Sequence, residues 1–264
     1  MPEYVDYAEY YDAIHDKGDD VPFYLEYARR AGGPVLELAC GTGRLAVPLA
    51  EAGLRVHGFD FSERMLDVLR RKIAKKKIGD RLSVSCANMA DFDLPEKSFA
   101  LAFVAFRSFM HLFTQADQLA CLRRVFSHLR PGGRFIVDVY TPNLEWLSSP
   151  CTGEFVQRNN VALPGGGRLL RKDRFVRKGY VNQINEAELA FEEYDTAGGL
   201  VRSRTVPLAT RYSFRFELQL LLEKAGFEIE ALFGDYDKRP FDWTGEIIFV
   251  ARKSPAPVPE KGEA

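Results

Sequence analysis

Residues 35–43 read Val-Leu-Glu-Leu-Ala-Cys-Gly-Thr-Gly. The apolar residues Val35, Leu36 and Leu38 have the pattern of a short buried parallel strand. The run enters Gly41 and Gly43 directly, and Leu45, Ala46, Leu49 and Ala50 then recur at helical spacing. A strand, a glycine turn and a helix in that order bring bare backbone close to a ligand and aim the first N–H groups of the helix at it. The glycines alone do not name the ligand, because nicotinamide, flavin and S-adenosylmethionine (SAM) sites all use such turns.

Two carboxylates narrow the choice. Glu37 sits inside the apolar strand, where an ionised group is costly unless it meets a cation or N–H donors. SAM carries an ammonium and a sulfonium, and both suit it. Val56-His57-Gly58-Phe59-Asp60 is a second short strand that ends in an acid. Asp60 follows Gly41 at the roughly 20-residue distance suited to a ribose diol, a device shared by dinucleotide and SAM sites.

Four segments in order then resemble the class I SAM-dependent methyltransferases. They are Glu37-Leu38-Ala39-Cys40-Gly41-Thr42-Gly43, Gly58-Phe59-Asp60-Phe61-Ser62-Glu63-Arg64-Met65-Leu66, Asn88-Met89-Ala90-Asp91-Phe92 and Leu129-Arg130-Pro131-Gly132-Gly133-Arg134-Phe135. The set covers residues 35–139 and is far more specific than any single member. The resemblance implies SAM as cofactor and S-adenosylhomocysteine as product. Glu37 with Gly41 and Gly43 would order the methionyl part, with Ala39, Cys40 and Thr42 completing the turn. Asp60 would hold the ribose hydroxyls. Phe61 and Met65 would sandwich the adenine with Met89, while Asn88 and the Ala90 backbone read its polar edge. Phe106, after the fourth strand, is a further cofactor-binding candidate. The family commonly has Asp at position 88, and Asn can still accept through its amide oxygen. Cys40 reads as packing, since the turn wants a small side chain.

The acceptor half is fainter. Tyr10-Tyr11-Asp12-Ala13-Ile14-His15 is similar to the entry helix of a subgroup that includes amino-sugar N,N-dimethyltransferases. That resemblance would bring Tyr11 to the methionyl end of SAM; otherwise Tyr7, Tyr10 and Tyr11 are the apolar face of a docking helix. In the same enzymes the loop after the fourth strand carries a His that aligns with His111 and faces the acceptor. His can accept or relay a proton near neutral pH, so His111 and Tyr11 are the catalytic candidates. Arg107 could bind an acidic acceptor, cover the SAM carboxylate or face solvent. Arg211 and Tyr212 complete the candidate acceptor wall.

Composition fits a soluble enzyme of 264 residues with one sizeable core, 46% hydrophobic and of net charge −1. That balance implies no attraction to polyanions. No apolar run approaches the roughly 20 residues of a membrane span. Met1-Pro2-Glu3-Tyr4 lacks a basic and apolar leader, and Cys40, Cys86, Cys121 and Cys151 form no CxxC pair. A cytoplasmic protein with reduced thiols and no metal site is expected.

The chain order predicts an α/β, Rossmann-like fold: a seven-stranded mostly parallel sheet with an antiparallel β lobe inserted after strand five. Helices are expected near 21–31, 43–52, 62–76, 115–129 and 214–225. Core strands are expected near 34–39, 55–59, 82–87, 99–106, 134–140, 227–233 and 244–252. Residues 1–149 and 213–253 would form the SAM-binding core with an N-terminal lid helix. Residues 150–212 would form the lobe, with strands at 168–176, 181–194 and 200–212, serving as an acceptor lid or dimer contact. Residues 254–264 form a polar, Pro-rich tail expected to be disordered.

Residues 155–178 hold Arg158, Arg168, Arg171, Lys172, Arg174, Arg177 and Lys178 against Asp173. Such a run could meet an anionic acceptor, but on an antiparallel sheet it suits the solvated face. It lacks interleaved stacking aromatics beyond Phe175 and Tyr180, which argues against nucleic acid. The expected partner is therefore a small-molecule acceptor, methylated at N or O by SN2 displacement, in a monomer or homodimer. Two other classes stand beside this reading. A catalytically silent SAM-binding regulator would keep every cofactor motif. An NAD-dependent oxidoreductase would leave Glu37, Asn88-Met89 and the Pro-Gly-Gly turn unexplained.

Overall fold

The computed structural model describes residues 8–15 and 18–254. The expected disordered tail lies, Ser254 apart, outside the described residues, as does Tyr7. The core strands are β1 (Val35–Leu38), β2 (Val56–Asp60), β3 (Leu82–Cys86), β4 (Phe99–Val104), β5 (Leu129–Tyr140), β10 (Phe227–Phe233) and β11 (Glu246–Lys253). They form one seven-stranded sheet in the order β10-β11-β5-β4-β1-β2-β3. β11 runs antiparallel to β5 and β10, while β1 to β5 pair in parallel. The sheet is therefore Rossmann-like with one reversed strand.

Sequence pattern explains the sheet. All of Phe99–Val104 is buried, as a strand covered by helices on both faces requires. The helices are α1 (Ala8–Ile14), α2 (Val21–Ala31), α3 (Ala46–Glu51), α4 (Glu63–Lys76), α5 (Gln115–His128), α6 (Leu144–Ser148) and α7 (Arg215–Lys224). The Ser62 hydroxyl caps α4 by accepting from Met65 N–H, and Thr114 caps α5 through Asp117 N–H. Gly32, at φ 60°, ends α2 in the left-handed conformation that glycine tolerates.

The lobe is a separate antiparallel sheet, β6 (Val156–Ala162), β7 (Arg168–Lys178), β8 (Ile184–Tyr194) and β9 (Leu200–Arg211), in sequential order. Three lobe strands were expected and four are present. β6 carries no strand signal in its sequence because most of it is exposed on a sheet edge, where no apolar alternation is needed. α6 is also unforeseen; it starts at Asn143, whose side chain accepts from Trp146 N–H. The α3 helix begins later than expected, because residues 41–45 are spent on the turn. β5 begins earlier, at Leu129, since Gly133 lets the Pro-Gly-Gly segment run against the Phe99 carbonyl.

A small apolar cluster joins the parts. Ala8, Tyr10 and Ile14 of α1 pack with Met65 of α4 and with Leu169, Leu189, Phe191 and Val206 of the lobe. Polar ties reinforce it: Asp12 accepts from the Thr42 hydroxyl at 2.6 Å and pairs with Lys72, while the Tyr10 hydroxyl donates to Glu193 at 2.9 Å. Among the described residues no helix is long and apolar enough to cross a membrane.

Candidate active site

Strand order decides where a ligand can sit. The chain leaves β1 toward β2 and β3 on one side, then returns to β4 and β5 on the other. A crevice must open beyond the C-terminal ends of β1 and β4. A cavity of about 670 Å³ lies there, running from the glycine turn to the inner face of the lobe.

Tyr11, Ala39, Gly41, Asp60, Phe61, Met65, Asn88, Met89 and Phe106 line its cofactor half. Asp60 ends β2 and accepts from Gly41 N–H and Ser62 N–H, each at 2.8 Å. Burial raises its pKa against those donors. Phe61 is 54% exposed and Phe106 41% exposed, so both present aromatic faces. The Arg44 guanidinium stacks 4.6 Å from the Phe106 ring and is held by Asp20 at 2.5 and 2.7 Å. Asn88 spends one acceptor site on Ala90 N–H at 2.9 Å.

Five expected cofactor residues are off the wall. Cys40 is buried, its Sγ so close to Gly58 that a Cβ there would lie 2.9 Å away. Thr42 is turned to Asp12, and Ala90 reaches Asn88 with its backbone. Glu37 is buried behind the turn, where the Ala46 N–H reaches it but Oε2 has no partner. Burial pushes its pKa up to about 8, with Arg44 acting in the opposite direction. Gly43 supports the turn from below: a Cβ would lie 2.3 Å from Leu69 Cδ1, at a φ of +84°. Gly43→Ala should therefore cost about 2–4 kcal/mol, from left-handed strain plus overpacking. Thermal unfolding would show it, whereas Gly41→Ala, with nothing within 4 Å of its Cβ, should lose about 1–2 kcal/mol.

These features fit SAM. An orphaned buried carboxylate oxygen suits a cation, Gly41 leaves open space, Asp60 suits a diol, and exposed aromatic faces suit a base.

The acceptor half is built by the loop after β4, the end of β5 and the lobe. Ser108–His111 forms a 3₁₀ turn that sets Met110 and His111 on the wall. His111 Nδ1 lies 3.2 Å from the Ala209 carbonyl, so Nδ1 carries the proton and Nε2 the lone pair of the neutral ring. Burial lowers its pKa to about 4. The inner lobe face adds Arg171, Asp173, Phe175, Ala187, Leu189, Leu208 and Thr210, and Trp146 of α6 packs edge-on to Phe175. His15 also lines the cavity, between Tyr11 and Phe106 at 4.6 and 5.2 Å, with its pKa lowered to about 4 by burial, Arg171 and Arg44. Thr141 Oγ1 is buried there without a partner.

Arg107 lines the cavity but pairs with Glu246, its Nε at 3.2 Å. Arg211 and Tyr212 require correction. Arg211 is 5% exposed and bonds to Gln118, Ser213, Gln183 and Glu217. Tyr212 is 3% exposed, with its hydroxyl on the Gly179 carbonyl. Neither lines the cavity; Arg211 fastens the lobe to α5 and α7, and Tyr212 packs into the main core. An Arg beside a Glu and a Gln is better used satisfying them than waiting unpaired.

The basic run of the lobe is largely neutralised across strands. Lys172 pairs with Glu192, Arg174 with Glu188 and Arg177 with Glu186, all on the outer face. Asp173 on the inner face pairs with Arg171 and Arg158.

A family model described as a methyltransferase domain matches residues 35–133. The structure of the CcbJ methyltransferase from Streptomyces caelestis is similar over 96% of this chain and 98% of its own, with 31% identity and a TM-score of 0.77. A dTDP-3-amino-3,6-dideoxy-alpha-D-glucopyranose N,N-dimethyltransferase of Streptomyces fradiae is 29% identical over 67% of this chain and 68% of its own. The structure of SAM-bound CalS10, an amino pentose methyltransferase from Micromonospora echinaspora, shares the fold, at 21% identity, TM-score 0.69, and 94% and 96% coverage.

Proposed function

Because the chain belongs to the SAM-dependent methyltransferases, we propose that it methylates the nitrogen of a small-molecule amine enclosed between the sheet and the lobe. The observation that carries this reading is the make-up of the acceptor half. Its charged side chains are already paired, Arg107 with Glu246 and Arg171 with Asp173, and its two histidines are weak bases. A hydroxyl acceptor needs a base to reach a nucleophilic state, whereas an uncharged amine does not. The Streptomyces fradiae relative, named for an N,N-dimethyl transfer to an amino sugar, supports the same choice.

The cofactor supplies, when bound, an electrophilic methyl group on a sulfonium for in-line SN2 displacement. Asp60 and the Ala39–Gly43 turn would hold it, Glu37 behind the turn would act on its cation electrostatically, and Tyr11 would close over it. His111 Nε2 accepts an N–H of the amine and orients its lone pair. Thr141 Oγ1 offers a further hydrogen bond to a polar acceptor. Trp146, Phe175, Leu189 and Leu208 exclude water, and orientation in a dry cavity is where most of the acceleration arises.

The test is S-adenosylhomocysteine release with a panel of small amines and their matched alcohols and carboxylates. Turnover of amines is expected; transfer to the alcohols or carboxylates alone would overturn the assignment of nitrogen. With an amine found, His111→Ala should lower kcat about tenfold or more, the worth of one orienting hydrogen bond in a dry site. Its S-adenosylhomocysteine affinity should stay within about twofold of the parent protein.

A further inference from the structure

Two consecutive non-glycine residues, Phe106 and Arg107, are left-handed, at φ 55° and 64°. Each such residue is strained when nothing holds it. Both line the cavity, and the 3₁₀ turn bearing Met110 and His111 begins directly after them. Something must impose this bend.

Asp138 lies opposite, on β5, with no exposed surface. Its Oδ2 accepts from Phe106 N–H at 3.0 Å and its Oδ1 from Arg107 N–H at 2.6 Å. The Tyr24 hydroxyl of α2 donates to Oδ2 at 2.7 Å, and the Tyr236 hydroxyl lies alongside. A carboxylate in an apolar strand needs such donors, and here two of them are the amides of the strained bend.

We propose that Asp138 is the positioning residue of the active-site loop: its carboxylate holds Phe106 and Arg107 in the left-handed bend that turns Met110 and His111 onto the cavity wall. This rests on the methyltransferase reading only for what the loop is for. The bend itself belongs to the fold. Above the carboxyl's pKa both oxygens accept. Below it one oxygen becomes a donor facing amide donors, and the bend loses a clamp. Burial, with Glu246 adding to it, raises that pKa to about 6 against the opposition of Tyr24 and the two amides. The groups around it are Tyr24 from α2, Tyr236 from the segment before β11, Glu246 of β11 and the Arg107 side chain; Asp20 acts on both tyrosines.

The experiment follows the backbone amide resonances of Phe106 and Arg107 by NMR from pH 8 to pH 5, with no ligand present. Both should shift with one common midpoint near the carboxyl's own, and Asp138→Asn should abolish the shift. In that variant, hydrogen-exchange protection of the Met110 and Leu112 amides should fall about tenfold or more, while amides of β1 and β4 keep theirs. Should Asp138→Asn fail to fold, Tyr24→Phe replaces it: losing one donor to the anion must move the midpoint to higher pH. Amides that do not titrate, that titrate alike in Asp138→Asn, or a midpoint unmoved in Tyr24→Phe would overturn the proposal. S-adenosylhomocysteine binding by the parent protein, measured separately, isolates the functional reading. Its absence would sink that reading and leave the amide titration standing.

Discussion

Asp60→Ala should weaken S-adenosylhomocysteine binding by about two orders of magnitude or more. A hydrogen bond to a charged acceptor contributes about 1.5–3 kcal/mol, and a ribose diol makes two. The sum corresponds to roughly a hundredfold to ten-thousandfold in Kd. The substitution also releases Gly41 N–H and Ser62 N–H, which Asp60 now accepts. Part of the loss will therefore come from a looser turn. Asp60→Asn separates the two contributions, because Asn still accepts from one amide but cannot take both hydroxyls as a carboxylate does. Calorimetric titration of the three proteins, with unfolding temperatures measured on the same samples, gives the partition. Near-parental affinity in Asp60→Ala would remove the ribose from this carboxylate.

The residues that line the cavity beside the glycine turn were legible because the constraints there are backbone constraints. A tight turn between β1 and its helix needs Gly41 and Gly43 at positive φ, and Asp60 at the tip of β2 accepts from that turn, so both leave fixed residues at fixed spacing. The acceptor half follows no such rule. The alternation of Arg171, Asp173 and Phe175 in β7 shows that they share one face, but not that this face covers a cavity. Arg211 shows the converse: its sequence position does not reveal that Gln118 of α5 and Glu217 of α7 saturate it. His15 ends the same motif that pointed to Tyr11, and could have been found there. Asp138 could also have been found. It stands in Phe135-Ile136-Val137-Asp138-Val139 as Glu37 stands in Val35-Leu36-Glu37-Leu38, an acid in a buried strand. What no pattern revealed is the left-handed bend at Phe106 and Arg107, because neither residue type prefers it.

Glu37→Gln should have effects of opposite sign on stability and on binding. The carboxyl is 4% exposed, one oxygen has no partner, and burial raises its pKa from 4.5 to about 8. Below pH 4.5 the group is protonated in both folded and unfolded chains, and it makes no difference to stability. Between pH 4.5 and pH 8 the unfolded chain loses the proton while the folded one keeps it, so stability falls as pH rises. Above pH 8 the loss is complete, at about 4–5 kcal/mol for a rise of this size. Glutamine escapes that penalty but leaves part of its own amide unpaired, so the net gain should be about 2–3 kcal/mol. The unfolding temperature of the ligand-free variant should exceed the parent's at pH 8; the difference should shrink as the pH falls and reverse toward pH 4.5, where only the amide's unpaired cost remains. Binding should move the other way. The ammonium of S-adenosylhomocysteine favours the ionised carboxylate, so the parent protein must release a proton to bind and its affinity should rise from pH 6 to pH 8. The variant has no proton to release, and should bind about tenfold or more weakly at pH 8 with a flat profile. Equal affinities, or a stability difference that does not change with pH, would show that this buried acid is not kept for the cofactor's cation. The expected pattern, a chain destabilised in its empty form by a buried carboxylate that attracts the ligand's cation, would place the cost of binding in the strand where the fold begins.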